Sequence, residues 1–528
     1  MTPLGTEHND LGALSRMLAV PFGSLSDLID LHAEQRPSSE AIVDDQLRWT
    51  WAEFRASIDR IAASLERDGV GHGDLVAMLG LNSVHYAAAF LGVLRLGAVP
   101  TPLPNSATPA AIAAMLEDCG TRWLLVDPQI QSRLPAGAFP TVKQVRLDFK
   151  HSGGQPGGWL AGAGSAPNPV QLQPGDYFNV IYSSGTTGSP KGIVHDHAFR
   201  WLQMRRGIER NGYCRESVVL LSTPLYSNTT LTTFLPALAA GARIALMPKF
   251  EAKQFLDLAQ RERATHYVLV PVQYRRILAN PDFDSYDLSS CRLKISTSAP
   301  FPAELKAEVL RRWPGGLIDV YGMTEGGGTC MLSAHEYPHK LHTVGQPLPG
   351  HDIRLIDEQL HELPAGAVGE IVGRSPAMMT EYLGKPDKTR EGEWYDAQGQ
   401  RYIRHGDIGR FDEDGFLVLL DRAKDMIISG GFNIYPSDLE AALKSHPDVA
   451  DAAVVGKPSE EWGETPVGFI VSRRSNCDPQ AILAYANERL GKTQRLAALH
   501  VIDELPRSAI GKILKRELRD RIRDSGRP

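Results

Sequence analysis

No apolar run in this 528-residue chain reaches the roughly 18 residues needed to cross a bilayer; candidates such as residues 86–94 break at Arg95 or at glycines. An integral membrane segment is therefore not expected. Cysteine is scarce. The five present (Cys119, Cys214, Cys291, Cys330 and Cys477) lie far apart at no metal-ligand spacing, which argues against a disulfide framework or a zinc site and suits a reducing cytoplasm. Basic charge has no surplus: 56 Lys and Arg stand against 62 Asp and Glu, and a net charge of −6 gives nucleic acid no electrostatic footprint. The N-terminus carries acids and no basic stretch ahead of an apolar one, so a secretory signal is not expected. Internal repeats are lacking too. What remains, 42% apolar and 22% charged residues, is the composition of a globular protein with ample core, and the length suggests two to four domains.

The chain is organised around residues 182–192, Tyr-Ser-Ser-Gly-Thr-Thr-Gly-Ser-Pro-Lys-Gly. The apolar run 177–182 before it predicts a strand, and a helix is expected to open near His197. A strand that ends in glycines and hydroxyls offers bare backbone N–H and O–H donors to an anion, and Lys191 adds positive charge. This is not a Walker loop. Only two residues separate Gly185 from Gly188, and Gly192 follows Lys191 where a Ser or Thr would be needed.

Periodicity places this loop within an α/β fold. Residues 25–34 and 51–67 read as amphipathic helices, 74–80 as a buried strand, and 83–96 as a buried helix capped by Asn82 or Ser83. Helix 110–118 and strand 123–127 repeat the pattern. Gly, Pro, Ala and Ser crowd 150–175, which reads as a loose surface connector. From Val218 strands 218–223, 243–247, 267–270, 293–296 and 317–320 alternate with helices 230–240, 252–263 and 301–313, predicting layered parallel sheets. Short alternating segments over 343–420 predict an antiparallel, barrel-like lobe. Beyond it, helices and strands make a small α+β domain of about 100 residues.

The loop 182–192 resembles the phosphate loop of the adenylate-forming superfamily, which holds acyl- and aryl-CoA synthetases, peptide-synthetase adenylation domains and beetle luciferases. Further motifs follow in that family's order along nearly the whole chain. The resemblance implies that Ser183, Ser184, Gly185, Thr186, Thr187, Gly188 and Lys191 handle the phosphates of ATP. Thr297-Ser298-Ala299-Pro300 resembles the adenine-flanking segment, although alone it is equally an ordinary strand-to-helix turn. In Tyr321-Gly322-Met323-Thr324-Glu325 the resemblance implies that Tyr321 lies against adenine, Thr324 touches phosphate and Glu325 holds Mg²⁺. Asp319 stands where the family usually has Asn, and either side chain can accept from the adenine amino group. Asp407, in Gly406-Asp-Ile-Gly409, matches the acceptor of both ribose hydroxyls, and Arg422 its helper at ribose and phosphate. Lys424 falls at the family's hinge, Gly430 and Gly431 at the turn that enters the thiol tunnel, and Lys512 at the lysine reaching the α-phosphate. Trp462 matches a position that touches the CoA nucleotide in some CoA ligases; packing at a lobe edge is the plainer reading.

The acid pocket is expected to draw on Tyr226, Ser227, Asn228, Met323, Gly326 and Gly327. Ser227 stands where many CoA ligases have His. The glycine run 326–328 removes side chains just past Glu325, which suggests room for a bulky or long acid. The resemblance thus implies an N-terminal ATP- and acyl-binding domain (1–424) and a mobile C-terminal catalytic domain (425–528). The implied reaction has two halves: a carboxylic acid and Mg·ATP give acyl-AMP and pyrophosphate, and CoA then displaces AMP. Catalysis is expected to rest on Lys512, Thr186, Glu325 and Lys191, with a homodimer as an open form of assembly. Two alternatives share these motifs: an adenylation enzyme feeding a carrier protein, and a non-catalytic nucleotide-binding module. No carrier domain is read after Lys512, and the choice between free CoA and a carrier protein stays open.

Overall fold

The computed structural model describes residues 6–149, 158–182, 190–422, 425–429, 432–459, 462–490, 494–508 and 511–524. It divides into two units: residues 1–326, 333–341 and 375–391 form the first, and residues 327–332, 342–374 and 392–528 the second.

The first unit is built on parallel sheets. Strands Val99–Pro102, Leu75–Leu79, Trp123–Val126 and Lys143–Arg146 lie side by side in that order, all parallel. A second parallel set runs Gly316–Gly322, Leu293–Thr297, His266–Leu269, Val218–Leu221, Arg243–Leu246 and Glu40–Val43, with Arg48–Thr50 antiparallel at its edge. The near-continuous apolar sequences of the inner strands suit coverage on both faces, while the edge strands Lys143–Arg146 and Arg48–Thr50 are polar and partly exposed. The strands predicted at 74–80, 123–127, 218–223, 243–247, 267–270, 293–296 and 317–320 stand at nearly the expected places, whereas Glu40–Val43, Arg48–Thr50, Val99–Pro102 and Lys143–Arg146 were not expected.

Local signals set the helix starts. Helix Trp51–Arg67 opens on a capping box, in which Thr50 accepts from the Glu53 N–H and Glu53 accepts from the Thr50 N–H. Such a cap contributes about 1 kcal/mol. Helix Val84–Arg95 is capped by Ser83, whose Oγ accepts from Tyr86 N. Asn82 is spent elsewhere, as described below.

A separate antiparallel trio is formed by Tyr177–Tyr182, Gly192–Asp196 and Glu381–Tyr382. Strand Gly192–Asp196 was not expected, since its alternation is too short to register. Helix His197–Asn211 does open at the predicted residue.

The connector reading needs correction. Residues 150–157 lie outside the described residues; residues 162–175 are mostly exposed, as expected, but the stretch 159–161 is strapped down rather than loose. Trp159 is buried, stacks on Phe149 at 5.6 Å and donates its indole N–H to Asp68 across 2.7 Å. Arg60 and Arg67 hold the carbonyls of Ala161 and Trp159, each at 2.7 Å. A large aromatic in a Gly/Pro-rich stretch buries enough area to outweigh the stretch's loop composition.

In the second unit, strands Asp352–Ile356, Gly369–Arg374, Arg401–Phe411, Glu393–Tyr395 and Leu417–Arg422 form one five-stranded antiparallel sheet, the lobe expected over 343–420. Residues from Ile427 onward make a further five-stranded sheet with Val449–Ser459 and Gly463–Ser472 as its long pair. Two apolar clusters pack this sheet. One joins Leu439, Leu443, Ile470 and Ile482; the other joins Val455, Phe469, Leu518 and Ile522. Among the described residues no helix is long and apolar enough to cross a membrane.

Candidate functional site

Residues 183–189 of the central loop, Thr186 among them, lie outside the described residues, but both its stems are described. Tyr182 closes the first strand and donates its phenol to Asp118 across 2.8 Å. Lys385 also pairs with Asp118 and donates to the Pro190 carbonyl at 2.5 Å, while Leu383 N donates to Gly192 O at 2.8 Å. The stems are thereby pinned to one aspartate and to the edge strand Glu381–Tyr382.

The turn after strand Gly316–Gly322 is held still more closely. Three successive carbonyls are each taken by a donor from elsewhere in the first unit. His195 Nε2 reaches Thr324 O at 2.7 Å and Met379 N reaches Glu325 O at 2.8 Å. Ser375 Oγ lies 2.8 Å from Gly326 O. The Glu325 carboxylate accepts at Oε1 from the phenol of Tyr382, again at 2.8 Å. Burial, and then the Glu325 carboxylate, push this phenol far above its ordinary pKa, so it stays a donor. The Lys191 ammonium stands 5.2 Å from the centre of the same ring. Lys191 and Glu325, predicted from separate motifs, thus meet at Tyr382. No sequence signal near either residue points to Tyr382.

Just past the neighbouring strand Leu293–Thr297, Ser298 takes a left-handed conformation (φ 78°) that a non-glycine residue adopts only where contacts hold it. Its hydroxyl contacts that of Thr229. Ala299 and Pro300 follow, with Pro300 exposed. Asp319 is buried and pairs with the equally buried Lys306 at 2.7 Å. Burial raises its pKa and Lys306 opposes the rise. One of its oxygens is therefore committed within the protein, which the sequence did not disclose. Tyr321 is half-buried and Gly322 exposed, and Met323, Thr324 and Glu325 are partly open to solvent.

Of the expected acid-pocket residues, Tyr226 is buried, whereas Ser227 acts as the cap of helix Asn228–Ala239 by accepting from Thr229 N. Asn82 holds this region from a distance. Its amide donates to Thr223 O at 2.8 Å and Met247 O at 3.2 Å, and its carbonyl accepts from Leu225 N at 2.8 Å. The reading of the glycine run is corrected here. A Cβ on Gly326 would lie 2.3 Å from Ala377 O and 2.9 Å from the Phe199 ring, and one on Gly328 would lie 2.3 Å from Ile353 Cδ1. Gly327 O itself crowds Gly373, where an added Cβ would sit 1.8 Å away. The missing side chains are filled by neighbouring chain, so the run gives no measure of the acid's size.

In the second unit, Asp407 and Arg422 are direct partners in register on adjacent antiparallel strands. Lys424, Gly430 and Gly431 lie outside the described residues. Trp462 is half-exposed, at 52%. Lys512 sits on a tight turn: Ser508 N donates to Lys512 O at 2.8 Å, and Lys512 N donates to Ser508 Oγ at 3.2 Å. Arg507 braces that turn, giving one N–H to Gly511 O at 2.6 Å and another to Asp451. Among the described residues no group of three or more His, Cys, Asp or Glu could hold a metal by itself.

A strand-end turn whose carboxylate is held by a phenol, in an α/β body followed in sequence by a smaller α+β lobe, defines the class as a mixed α/β protein of layered build. The comparisons name its family. Residues 29–383 match the family model described as AMP-binding enzyme, and residues 438–512 match the AMP-binding enzyme C-terminal domain. The chain is 33% identical to an indoleacetate–CoA ligase of Aromatoleum aromaticum, covering 94% of this chain and 98% of that one. It is 32% identical to ScoC of Streptomyces coeruleorubidus, a fatty acid–[acyl-carrier-protein] ligase, covering 94% and 96%. The ATP-bound crystal structure of MatB from Rhodopseudomonas palustris superposes with a TM-score of 0.84 at 27% identity, covering 95% of this chain and 100% of that one. The chain belongs to the AMP-binding enzyme family, the adenylate-forming superfamily, and is an AMP-forming ligase of the acid–thiol type.

Proposed function

We propose that the protein activates an aryl, alicyclic or medium- to long-chain carboxylic acid as its acyl-AMP and then passes the acyl group to CoA. The observation that carries this reading is the meeting of Lys191 and Glu325 at Tyr382, which brings a cation and a carboxylate from two phosphate-handling motifs to one place. In the first half-reaction the acid's carboxylate attacks the α-phosphorus, the bond to pyrophosphate breaks, and acyl-AMP forms. Lys191 and the 183–188 loop hold the phosphates, Tyr321 and Ser298–Pro300 flank the base, and Asp407 with Arg422 takes the ribose. Lys512 meets the charge that gathers on phosphorus. In the second half-reaction the sulfur of CoA displaces AMP. Residues 425–528 turn about Lys424, withdraw Lys512 and present Gly431 to the thiol channel, with Trp462 at the CoA nucleotide. One site then serves two chemistries by exchanging faces of the smaller domain.

The donor set around Glu325 fits Mg²⁺. This ion keeps several waters and takes one or two carboxylates plus phosphate oxygens, and Glu325 has an oxygen beyond the one Tyr382 occupies. When bound, it would neutralise phosphate charge. Glu325 would hold it, with the Thr324 hydroxyl facing phosphate.

The test separates the half-reactions. Lys512→Ala should lower acyl-AMP formation by about 10²–10³ while thioester formation from supplied acyl-AMP survives. Equal damage to both halves would refute the exchange of faces. Similarity to a ligase whose name specifies a carrier protein favours one second reading, a carrier-loading enzyme. AMP release measured with free CoA against a carrier protein, across a panel of aryl, alicyclic and fatty acids, decides between them.

A further inference from the structure

Arg200 lies in the first turns of helix His197–Asn211, fully buried, and among the described residues no carboxylate pairs with it. A buried guanidinium without an acid is costly unless its donors are fully used. Burial pushes its pKa down to about 9. Its donors serve a closed polar cluster. Nε donates to Asn179 Oδ1 at 2.8 Å, Nη1 to Gln203 Oε1 at 2.5 Å, and Nη2 to His195 Nδ1 at 2.9 Å. The Asn179 amide also lies 3.2 Å from His195 Nδ1.

Two donors aimed at Nδ1 leave that nitrogen only the acceptor's part, so the ring's proton sits on Nε2. Nε2 in turn donates to Thr324 O at 2.7 Å. A cation at the far end of such a chain polarises it and strengthens the final hydrogen bond. The same helix supplies a second brace. Phe199 stacks on His195 with ring centres 4.2 Å apart and lies directly beside Gly326. The cluster therefore grips both sides of Glu325, through the carbonyl before it and the glycine after it.

We propose that His195 and Arg200 are positioning residues for the nucleotide: Arg200 sets the tautomer of His195, and His195 orients the Thr324 peptide so that the Thr324 hydroxyl and the Glu325 carboxylate face the triphosphate. This rests on the adenylation reading above. His195 touches no substrate, and its effect passes through one carbonyl.

The experiment compares the full-length enzyme with His195→Leu and His195→Gln. Leucine keeps the packing on Phe199 and removes both nitrogens, whereas glutamine returns an N–H donor where Nε2 stood. MgATP binding is measured by calorimetry, and KM values for MgATP and for the acid by pyrophosphate exchange. His195→Leu should weaken MgATP about three- to tenfold, the worth of one buried hydrogen bond, and leave KM for the acid within about twofold. His195→Gln should recover most of the loss. Wild-type affinity for MgATP in His195→Leu, parallel changes in both KM values, or a glutamine variant no better than leucine would each overturn the proposal. Nitrogen NMR of labelled histidines gives an activity-independent reading: His195 should show a bare Nδ1 and a protonated Nε2, and the opposite tautomer would end the idea. If wild-type enzyme binds no MgATP at all, the adenylation reading itself falls; if it binds and His195→Leu binds equally, only the positioning role falls.

Discussion

The phenol of Tyr382 donates to Glu325 Oε1 across 2.8 Å, although 57 residues separate them, and the Lys191 ammonium stands over the other face of the relationship, 5.2 Å from the ring centre. A hydroxyl held on one carboxylate oxygen fixes the carboxylate's plane and so aims the remaining oxygen.

Removing that hydroxyl should loosen Glu325 without unfolding the strand. A hydrogen bond to a charged group is worth about 1.5–3 kcal/mol, so Tyr382→Phe should lower the pyrophosphate-exchange rate roughly ten- to hundredfold, with the thermal midpoint little changed. The ring, its packing and its contact with Lys191 all remain. A phenylalanine variant as fast as wild type would show that Glu325 needs no such hold.

The brace on the Lys512 turn offers a cleaner separation of the two half-reactions. Arg507 ties Gly511 O to Asp451, and the variant Arg507→Ala frees the turn while leaving Lys512 in place. Positioning losses of this kind cost about tenfold or more. Acyl-AMP formation should fall by that amount, and conversion of supplied acyl-AMP to thioester should hold. Stopped-flow measurement of each half-reaction checks it; a loss confined to the thioester step would contradict the role given to this turn.

Stability should depend on pH through buried histidines. Burial lowers His32, His197 and His266 to about 4, from an ordinary value of 6.5. In the unfolded chain each takes a proton as the pH falls below about 6.5, while in the folded chain each stays neutral until about 4. The unfolded state therefore binds more protons in this window, and stability falls as pH falls, by at most about 3 kcal/mol per histidine. Above pH 6.5 this contribution is complete. Urea unfolding between pH 6.5 and 5, a range that carboxylates with ordinary pKa values barely enter, should show the midpoint dropping, and His266→Asn should flatten the slope. A midpoint constant across that range would rule out the linkage.

The sequence disclosed what is local. Helix Trp51–Arg67 shows itself by apolar residues at three- and four-residue spacing, and strand Tyr177–Tyr182 as an apolar run ahead of glycines. Glu325, Asp407 and Lys512 stand in recognisable motifs. The supports of these residues are not local. Tyr382, His195, Arg200 and Asn82 act on carbonyls and carboxylates far along the chain, and no periodicity records a partner 57 or 129 residues away. Asn82 and Ser83 both read as candidate caps, because capping and tertiary hydrogen bonding use the same kinds of side chain; Ser83 takes the role. The connector departs from its reading only around residue 159: its composition is that of a loop and most of 162–175 is exposed, but Trp159 is buried.

The glycine at 326 separates two physical accounts of the same residue. If it serves only to widen an acid pocket, Gly326→Ala should shift preference toward smaller acids and leave ATP handling intact. The geometry says otherwise. Residue 326 has φ 75°, where a side chain is strained, and an added Cβ would meet Ala377 O at 2.3 Å and Phe199 at 2.9 Å. Strain at a left-handed residue costs on the order of 1–3 kcal/mol before the clash is counted. The chain can relieve it only by moving the turn that carries Glu325, so Gly326→Ala should raise KM for MgATP at least about tenfold whichever acid is offered. Pyrophosphate exchange with a short and a long acid discriminates the accounts: equal losses for both follow from the packing, and a loss limited to the larger acid would restore the pocket reading.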